Sequence, residues 1–524
     1  MDSFPFSAKS AEDESKNKKD SKKKGKKIMK KLVSIFLAIA LLFTFSMSVL
    51  AAETNINLVD DTRTYNAYKL FDATSSLKEG HVEHGGACNK ECYTYSYTVA
   101  DDNLYFDILK GIAVSDNLAG VLAYLEDNKG DAQTVADTIY RAIKHLDPDA
   151  TVTKTTTSLA QGYWLFADVT GNDLDDDEAH SVVLLKTAGL DTLKINPKTA
   201  TPTIVKQVLE VNDSNNTPGS WQDAADYDIG DTVSFKLTAT LPANYASYDA
   251  YKLKFMDNLA DGFTLKADTI TVTANNVTFG DDDYDIETEN VTTGYDFEVI
   301  FANLKDIADV TAETVFEVTY DATLNVNAEI GEDGNNNVVD LVFSNDPYGD
   351  TTGKISDRVN VYTYQLVVNK VTTVDNDENV PLTGAGFTLY KKDSNGNYNP
   401  ANITAVKSND GTTFTFKGLD AGDYKLEESV VPAGYNKSSD VEFTVAATYT
   451  EDDLTTLTSG FGTVEETDGV FSGVITGKIT NLSGTALPET GAAGTMWLIA
   501  GGAALVLLAG VFMITRKKMS VFED

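Results

Sequence analysis

The stretch "DTVSFKLTATL", residues 231–241, alternates with a period of two: Val233, Phe235, Leu237, Ala239 and Leu241 fall on one face, and Ser234, Lys236, Thr238 and Thr240 on the other. This is the pattern of a strand half buried against a core. Working outward, "VTTGYDFEVIF" (291–301) and "TVFEVTYDATLNV" (314–326) repeat it between turns rich in Asn, Asp and Gly. Short strands at this spacing, without helices between them, predict a β-sandwich over residues 201–363. Downstream, "YQLVVNKV", "GAGFTLYKK", "TTFTFKGL", "DYKLEES" and "GVITGKITN" predict another over 364–485. Upstream, residues 53–200 are mixed. "DAQTVADTIYRAIKHL" (131–146) sets Val135, Ile139, Ile143 and Leu146 at helical spacing behind Asp131 as N-cap, while "QGYWLFADV" (161–169) and "SVVLLKT" (181–187) read as strands. The expected fold class is mainly β, with tandem immunoglobulin-like β-sandwich domains and helices added to the N-terminal domain.

A chain of 524 residues, 42% of them hydrophobic, suggests several cores rather than one. Its 42 Lys and Arg against 79 Asp and Glu give a net charge of -37, which argues against nucleic acid as a partner. The one dense cationic run, residues 16–31, precedes the apolar stretch "LVSIFLAIALLFTFSMSVL" and the small residues Ala51 and Ala52. Residues 1–52 therefore read as a signal peptide with a basic n-region, and a start at Met29 would give it ordinary proportions.

An exported chain with two cysteines does not use disulfides as its framework. Both lie in "HVEHGGACNKEC" (81–92), beside His81 and His84. A local disulfide between Cys88 and Cys92, a pair of free thiols and a metal site all fit these residue types, and the spacing matches no standard zinc pattern. The acidic clusters at 173–178, 280–285 and 375–379 lack EF-hand spacing and read as solvated turns. No metal and no cofactor is expected.

Near the C-terminus stands "TALPETGAAGTMWLIAGGAALVLLAGVFMITRKK" (485–518). Residues 496–515 are long enough to cross a bilayer as a helix, with Arg516, Lys517 and Lys518 holding the tail on the cytoplasmic side. Leu487, Pro488, Glu489, Thr490 and Gly491, then the apolar span, then the basic tail, resemble the sorting signal of Gram-positive surface proteins cut by sortases. The resemblance covers residues 486–524. It implies that a sortase thiolate attacks the Thr490 carbonyl, releases Gly491 and holds the chain as an acyl-enzyme. The transmembrane helix then belongs to the precursor alone. Pro488, with its fixed φ and missing donor, suits a bent extended peptide in an enzyme groove.

An amine must resolve that intermediate. Peptidoglycan precursor would give a single wall-bound protein, and a lysine of another copy would give a polymer. "LKINPKTATPTIVKQV" (193–208) resembles the pilin motif of sortase-built backbone pilins, which implies Lys198, after Pro197, as the nucleophile. Asn196 and Thr199 stand where the usual motif has Tyr and Asn.

The same family carries internal Lys–Asn isopeptide bonds. "PLTGAGFTLYKKD" and "YKLEESVVPAGY" resemble the collagen-adhesin B-type (Cna B-type) domain, implying Glu428 as catalytic acid between Lys370 and Asn481. "PTIVKQV", "LKFMDNLADGFTL" and "LVFSNDP" resemble the A-type pattern, implying Lys206, Asp257 and Asn345. Burial lowers a lysine pKa and raises that of a carboxylic acid, so a neutral amine can attack the carboxamide while the acid polarises it and ammonia leaves. No such triad is assigned to the first domain.

These resemblances imply a structural shaft subunit of a covalent surface pilus. Its expected partners are polymerising and wall-anchoring sortases, identical subunits head to tail, minor or tip pilins, and peptidoglycan. The alternative is a monomeric wall-anchored adhesin binding a host or matrix ligand. An enzyme is not expected, because four histidines and two cysteines leave little from which to build a site.

Overall fold

The computed structural model describes residues 53–78 and 93–484, apart from 172–174, 189, 191, 197–199, 213, 215–218 and 375–376. The signal peptide, His81, His84, Cys88, Cys92, Lys198, the pentapeptide 487–491 and the C-terminal apolar span lie outside the described residues.

The first module contains strands β1 (Glu53–Leu58), β2 (Tyr65–Leu77), β3 (Tyr93–Thr98), β4 (Ala150–Val152), β5 (Ser158–Ala160), β6 (Gly162–Asp168), β7 (Val182–Lys186) and β8 (Thr192–Ile195). One sheet runs β3-β2-β6-β7 with β4 also paired to β2, and a small sheet runs β5-β1-β8. Helices Leu104–Ala113, Leu118–Asp127 and Ala132–Ile143 fill the connection between β3 and β4. The last turns Val135, Ile139 and Ile143 into the core, as their spacing predicts. Asp131 occupies its N-cap position but makes no capping bond through its side chain.

The second module is a sandwich of β9 (Thr203–Glu210), β10 (Ser220–Gln222), β11 (Ala224–Asp226), β12 (Thr232–Thr240), β13 (Leu253–Leu259), β14 (Phe263–Ala274), β15 (Asp285–Glu287), β16 (Phe297–Phe301), β17 (Val315–Leu324), β18 (Asn335–Ser344) and β19 (Thr352–Tyr362). The two sheets run β10-β9-β12-β17-β14 and β11-β19-β18-β13-β16-β15. Val233, Phe235, Leu237 and Ala239 of β12 are fully buried between them, while the alternate residues face outward. The same parity sends Phe316, Val318, Tyr320, Ala322 and Leu324 of β17 inward.

The third module holds β20 (Tyr364–Val374), β21 (Asp377–Pro381), β22 (Gly386–Lys392), β23 (Tyr398–Pro400), β24 (Val406–Lys407), β25 (Thr413–Leu419), β26 (Gly422–Val430), β27 (Val441–Tyr449), β28 (Leu454–Ser459), β29 (Thr463–Thr467) and β30 (Val470–Asn481). Its sheets run β24-β25-β20-β30-β29 and β23-β22-β26-β27-β28. First strand β20 and last strand β30 are parallel neighbours, with Lys370 opposite Ile479 and Thr372 opposite Asn481.

Polar contacts seat the modules on one another. Arg141 of the helix Ala132–Ile143 reaches Asp249 and the Ser247 carbonyl of the second module, and Tyr348 donates to Asp137 at 2.5 Å. At the other joint, Asp228 accepts from the Asp420 backbone N–H at 2.9 Å, and Lys391 lies 2.7 Å from both the Asp228 and the Asp420 carboxylates. Gly331 and Gly473 meet there backbone to backbone at φ +83° and +74°. A Cβ on Gly331 would collide with Ser472.

Candidate cross-link sites

The third module brings Lys370, Glu428 and Asn481 together. They come from β20, β26 and β30, and each is 2% exposed or less. The Lys370 amine lies 3.0 Å from Glu428 Oε1 and donates to Asn481 Oδ1. Asn481 Nδ2 donates to Glu428 Oε1 at 2.8 Å and Oε2 at 3.1 Å. One carboxyl therefore touches both the amine and the amide nitrogen. The Ser438 backbone N–H fixes that carboxyl with a 2.8 Å bond to Oε2. Burial lowers the Lys370 pKa against the opposing pull of Glu428. Phe387 caps the site with its ring 5.7 Å from the amine. A dry amine, carboxamide and acid in this arrangement can exchange ammonia for an amide link.

In the second module Lys206 and Asp257 meet, but Asn345 does not join them. The fully buried Lys206 amine comes from the inward row of β9 and pairs with Asp257 Oδ2 from the facing sheet. Burial pushes the lysine pKa down and the aspartate pKa up, which favours the neutral amine and the protonated acid. Asp257 lies opposite Val339 in the β13–β18 ladder. Asn345, six positions beyond Val339, is about 20 Å away along the strand direction. It serves the joint with the first module instead: its carbonyl accepts from His180 N–H at 2.7 Å, and its side chain donates to the Glu178 carbonyl at 3.2 Å.

The carboxamide that does enter this site is Asn337. It is fully buried on the inward row of β18 with Val339, Leu341 and Phe343. Its Nδ2 donates to the Tyr320 hydroxyl at 2.7 Å, and that hydroxyl donates to Asp257 Oδ1 at 2.8 Å and lies 3.1 Å from the Lys206 amine. The structure therefore places Asn337, and not the expected Asn345, beside Lys206 and Asp257. The sequence signal was an Asn on the inward row of a strand, one it shares with the neighbouring Asn335. Tyr320 carried no such signal, because an aromatic in a strand reads as core.

The first module has a buried ion cluster at its base. Arg63, 1% exposed, reaches Asp168, Asp60 and Glu178. Burial opposes charge on Asp168, but the nearby His180, hydrogen bonds from Thr170 and the adjacent guanidinium outweigh it and hold its pKa below the usual carboxylate range. A guanidinium stays protonated and is no nucleophile.

Three family models match parts of this chain. Residues 229–347 match the model of the Gram-positive pilin backbone subunit 2, Cna-B-like domain; residues 368–458 match a prealbumin-like fold domain; and residues 483–520 match the LPXTG cell wall anchor motif. The second module, read from sequence as A-type, is thus matched by a model described as Cna-B-like. The trypsin-resistant surface T6 protein of Streptococcus pyogenes serotype M6 is 26% identical over 395 residues, which is 61% of this chain and 70% of that protein. Among solved structures, the T6 backbone pilin of Streptococcus pyogenes aligns with 83% of this chain and 98% of its own at 17% identity and a TM-score of 0.47. The major pilin SpaD from Corynebacterium diphtheriae aligns with 66% and 86% at 17% identity and a TM-score of 0.43.

Proposed function

We propose that this chain is the shaft subunit of a sortase-assembled surface pilus, a structural protein whose strength comes from amide bonds between and within subunits. The observation that carries the reading is the presence, in one chain, of a pilin-backbone module and a wall-anchor segment. Between subunits, sortase would join Thr490 of one copy to Lys198 of the next. Lys198 stands in the chain between β8, which ends at Ile195, and β9, which begins at Thr203. The sorting signal follows β30 in the chain. A nucleophile that precedes the second module in the chain and an electrophile that follows the third would give head-to-tail growth. A wall-anchoring sortase would finally transfer the base of the polymer to peptidoglycan, and minor or tip pilins would join through the same chemistry.

Within subunits, the geometry supports Lys370–Asn481 and Lys206–Asn337 amides, with Glu428 and Asp257 as their acids. The third-module bond would join the first strand to the last. A pull through the chain ends would pass from Lys370 directly to Asn481 and leave the ladder between them unloaded. Each bond would also close a loop of more than 100 residues, for which chain entropy gives about 5 kcal/mol.

The test of the polymer is direct. Wall extracts boiled in detergent should show a ladder of covalent multimers that collapses to monomer in Lys198→Ala. A single band from the unaltered strain would refute the shaft reading in favour of the monomeric wall-anchored adhesin.

A further inference from the structure

We propose that Tyr320 is a catalytic residue of the second-module cross-link, carrying a proton from Asp257 to the departing amide nitrogen of Asn337. The inference rests on the Lys206–Asn337 reading above. The two oxygens of Asp257 face different groups: Oδ2 faces the Lys206 amine, and Oδ1 faces the Tyr320 hydroxyl at 2.8 Å. The same hydroxyl accepts from Asn337 Nδ2 at 2.7 Å. Among the described residues, the Asn337 amide hydrogen bond goes to the tyrosine and not to the acid. Asn337 Oδ1 is buried without a partner, so the tyrosine also sets the orientation of the carboxamide.

The third module shows what this arrangement replaces. There Glu428 Oε1 touches both the lysine amine and the asparagine nitrogen, at 3.0 and 2.8 Å. Asp257 is one methylene shorter. The phenol stands in the gap that the shorter side chain leaves.

The step balances without any outside reagent. The neutral Lys206 amine adds to Asn337 Cγ. As Nδ2 becomes pyramidal its lone pair turns acceptor, the Tyr320 proton passes to it, and the Asp257 proton replaces that of the tyrosine. The Cγ–Nδ2 bond breaks and ammonia leaves. The new amide nitrogen returns its surplus proton to Asp257, so one amide and one ammonia form from one amine and one carboxamide. Burial raises the Tyr320 pKa well above that of a free phenol, so it remains protonated between transfers.

The experiment follows the cross-linked peptide that contains Lys206 and Asn337 in the full chain, by mass spectrometry at successive times after synthesis. Formation of the Lys370–Asn481 bond in the same molecules reports that the chain has folded. Tyr320→Phe keeps the ring and should slow the second-module link by about 100-fold, the scale of a lost proton-transfer group. Adding Asp257→Glu to that variant gives the acid the reach of Glu428 and should restore the rate. Linking at the unaltered rate in Tyr320→Phe, or slow linking that Asp257→Glu fails to restore, would overturn the proposal. Absence of the Lys206–Asn337 link from the unaltered chain would instead remove the reading on which it rests.

Discussion

The second and third modules bury the same three kinds of group, an amine, an acid and a carboxamide, but at different reach. In the third, one glutamate touches both partners. In the second, the amine and acid pair across two facing sheets, and a tyrosine bridges to the carboxamide. The first module is the contrasting case: its buried cation is Arg63, which cannot lose its proton, so the site stays ionic. The difference teaches that burial alone does not prepare this chemistry. It needs an amine that can be neutral and an acid long enough, or helped enough, to serve both ends.

The largest effect should come from removing that acid. Glu428→Ala is expected to leave Lys370 and Asn481 unlinked, to raise the intact mass by the roughly 17 Da of retained ammonia, allowing for the substitution itself, and to lower the melting temperature of the third module by about 20 °C. Calorimetry and intact mass together check it. A module that melts at the unaltered temperature after losing the bond would show that the cross-link serves only under load. Glu428→Asp sharpens the comparison further, because among the described residues no tyrosine hydrogen-bonds to Asn481 to extend the shorter acid. It should link far more slowly than Asp257 does in its own site.

Next in size is the ionic site. Arg63→Leu leaves Asp168 buried without its guanidinium partner and should cost the first module about 3 to 5 kcal/mol. Urea unfolding monitored at Trp164, which packs in the same module, reads that loss. No mass change beyond that of the substitution itself should accompany it. A change in cross-linking on Arg63→Leu would break the separation drawn between ionic and covalent modules.

The joint between the second and third modules supplies a pH dependence that belongs to neither cross-link. Burial pushes the Asp226 carboxyl up to about 6, against hydrogen bonds from the Ala421 N–H and the Tyr449 hydroxyl. An ordinary aspartate loses its proton near pH 4 in the unfolded chain. The raised folded value therefore gives stability that is complete below about pH 4 and is lost as pH rises through about 6. The size is about 2 to 3 kcal/mol. Subtracting the melting profile of Asp226→Asn from that of the unaltered chain should isolate this slope. A flat difference between pH 4 and 7 would mean that the joint does not feel the charge.

Part of this was legible from side-chain periodicity: the β12 alternation and the helical stripe at Val135, Ile139 and Ile143 are local patterns. The third-module triad was legible only through the resemblance of its strands to the Cna B-type domain. The second-module carboxamide was not legible, because Asn337 and Asn345 are eight positions apart and share the parity that points inward. Strand parity cannot say how far along a ladder a residue lies. That depends on the β13–β18 register, which places Asp257 opposite Val339, two residues from Asn337. Arg63 was hidden for a related reason: its carboxylate partners at 168 and 178 are more than 100 residues away, and only folding shows that they face it.

The smallest effect tests that register directly. Asn345→Ala removes a 3.2 Å bond to the Glu178 carbonyl and a 2.7 Å bond from Thr351, while the backbone bond from His180 to the residue 345 carbonyl survives. The expected cost is about 1 kcal/mol, felt as faster amide exchange around residues 178–180. The Lys206 cross-link should form as before. Asn337→Ala should do the opposite, abolishing the link and leaving the joint with the first module unchanged. Asn337 lies on β18 and Asn345 directly follows its last residue, and both have the same chemistry, so only their positions along the chain direction can separate the outcomes. If Asn345→Ala abolished the link while Asn337→Ala spared it, β18 would have to shift by eight residues, and every inward side chain from Val339 to Phe343 would need a new neighbour.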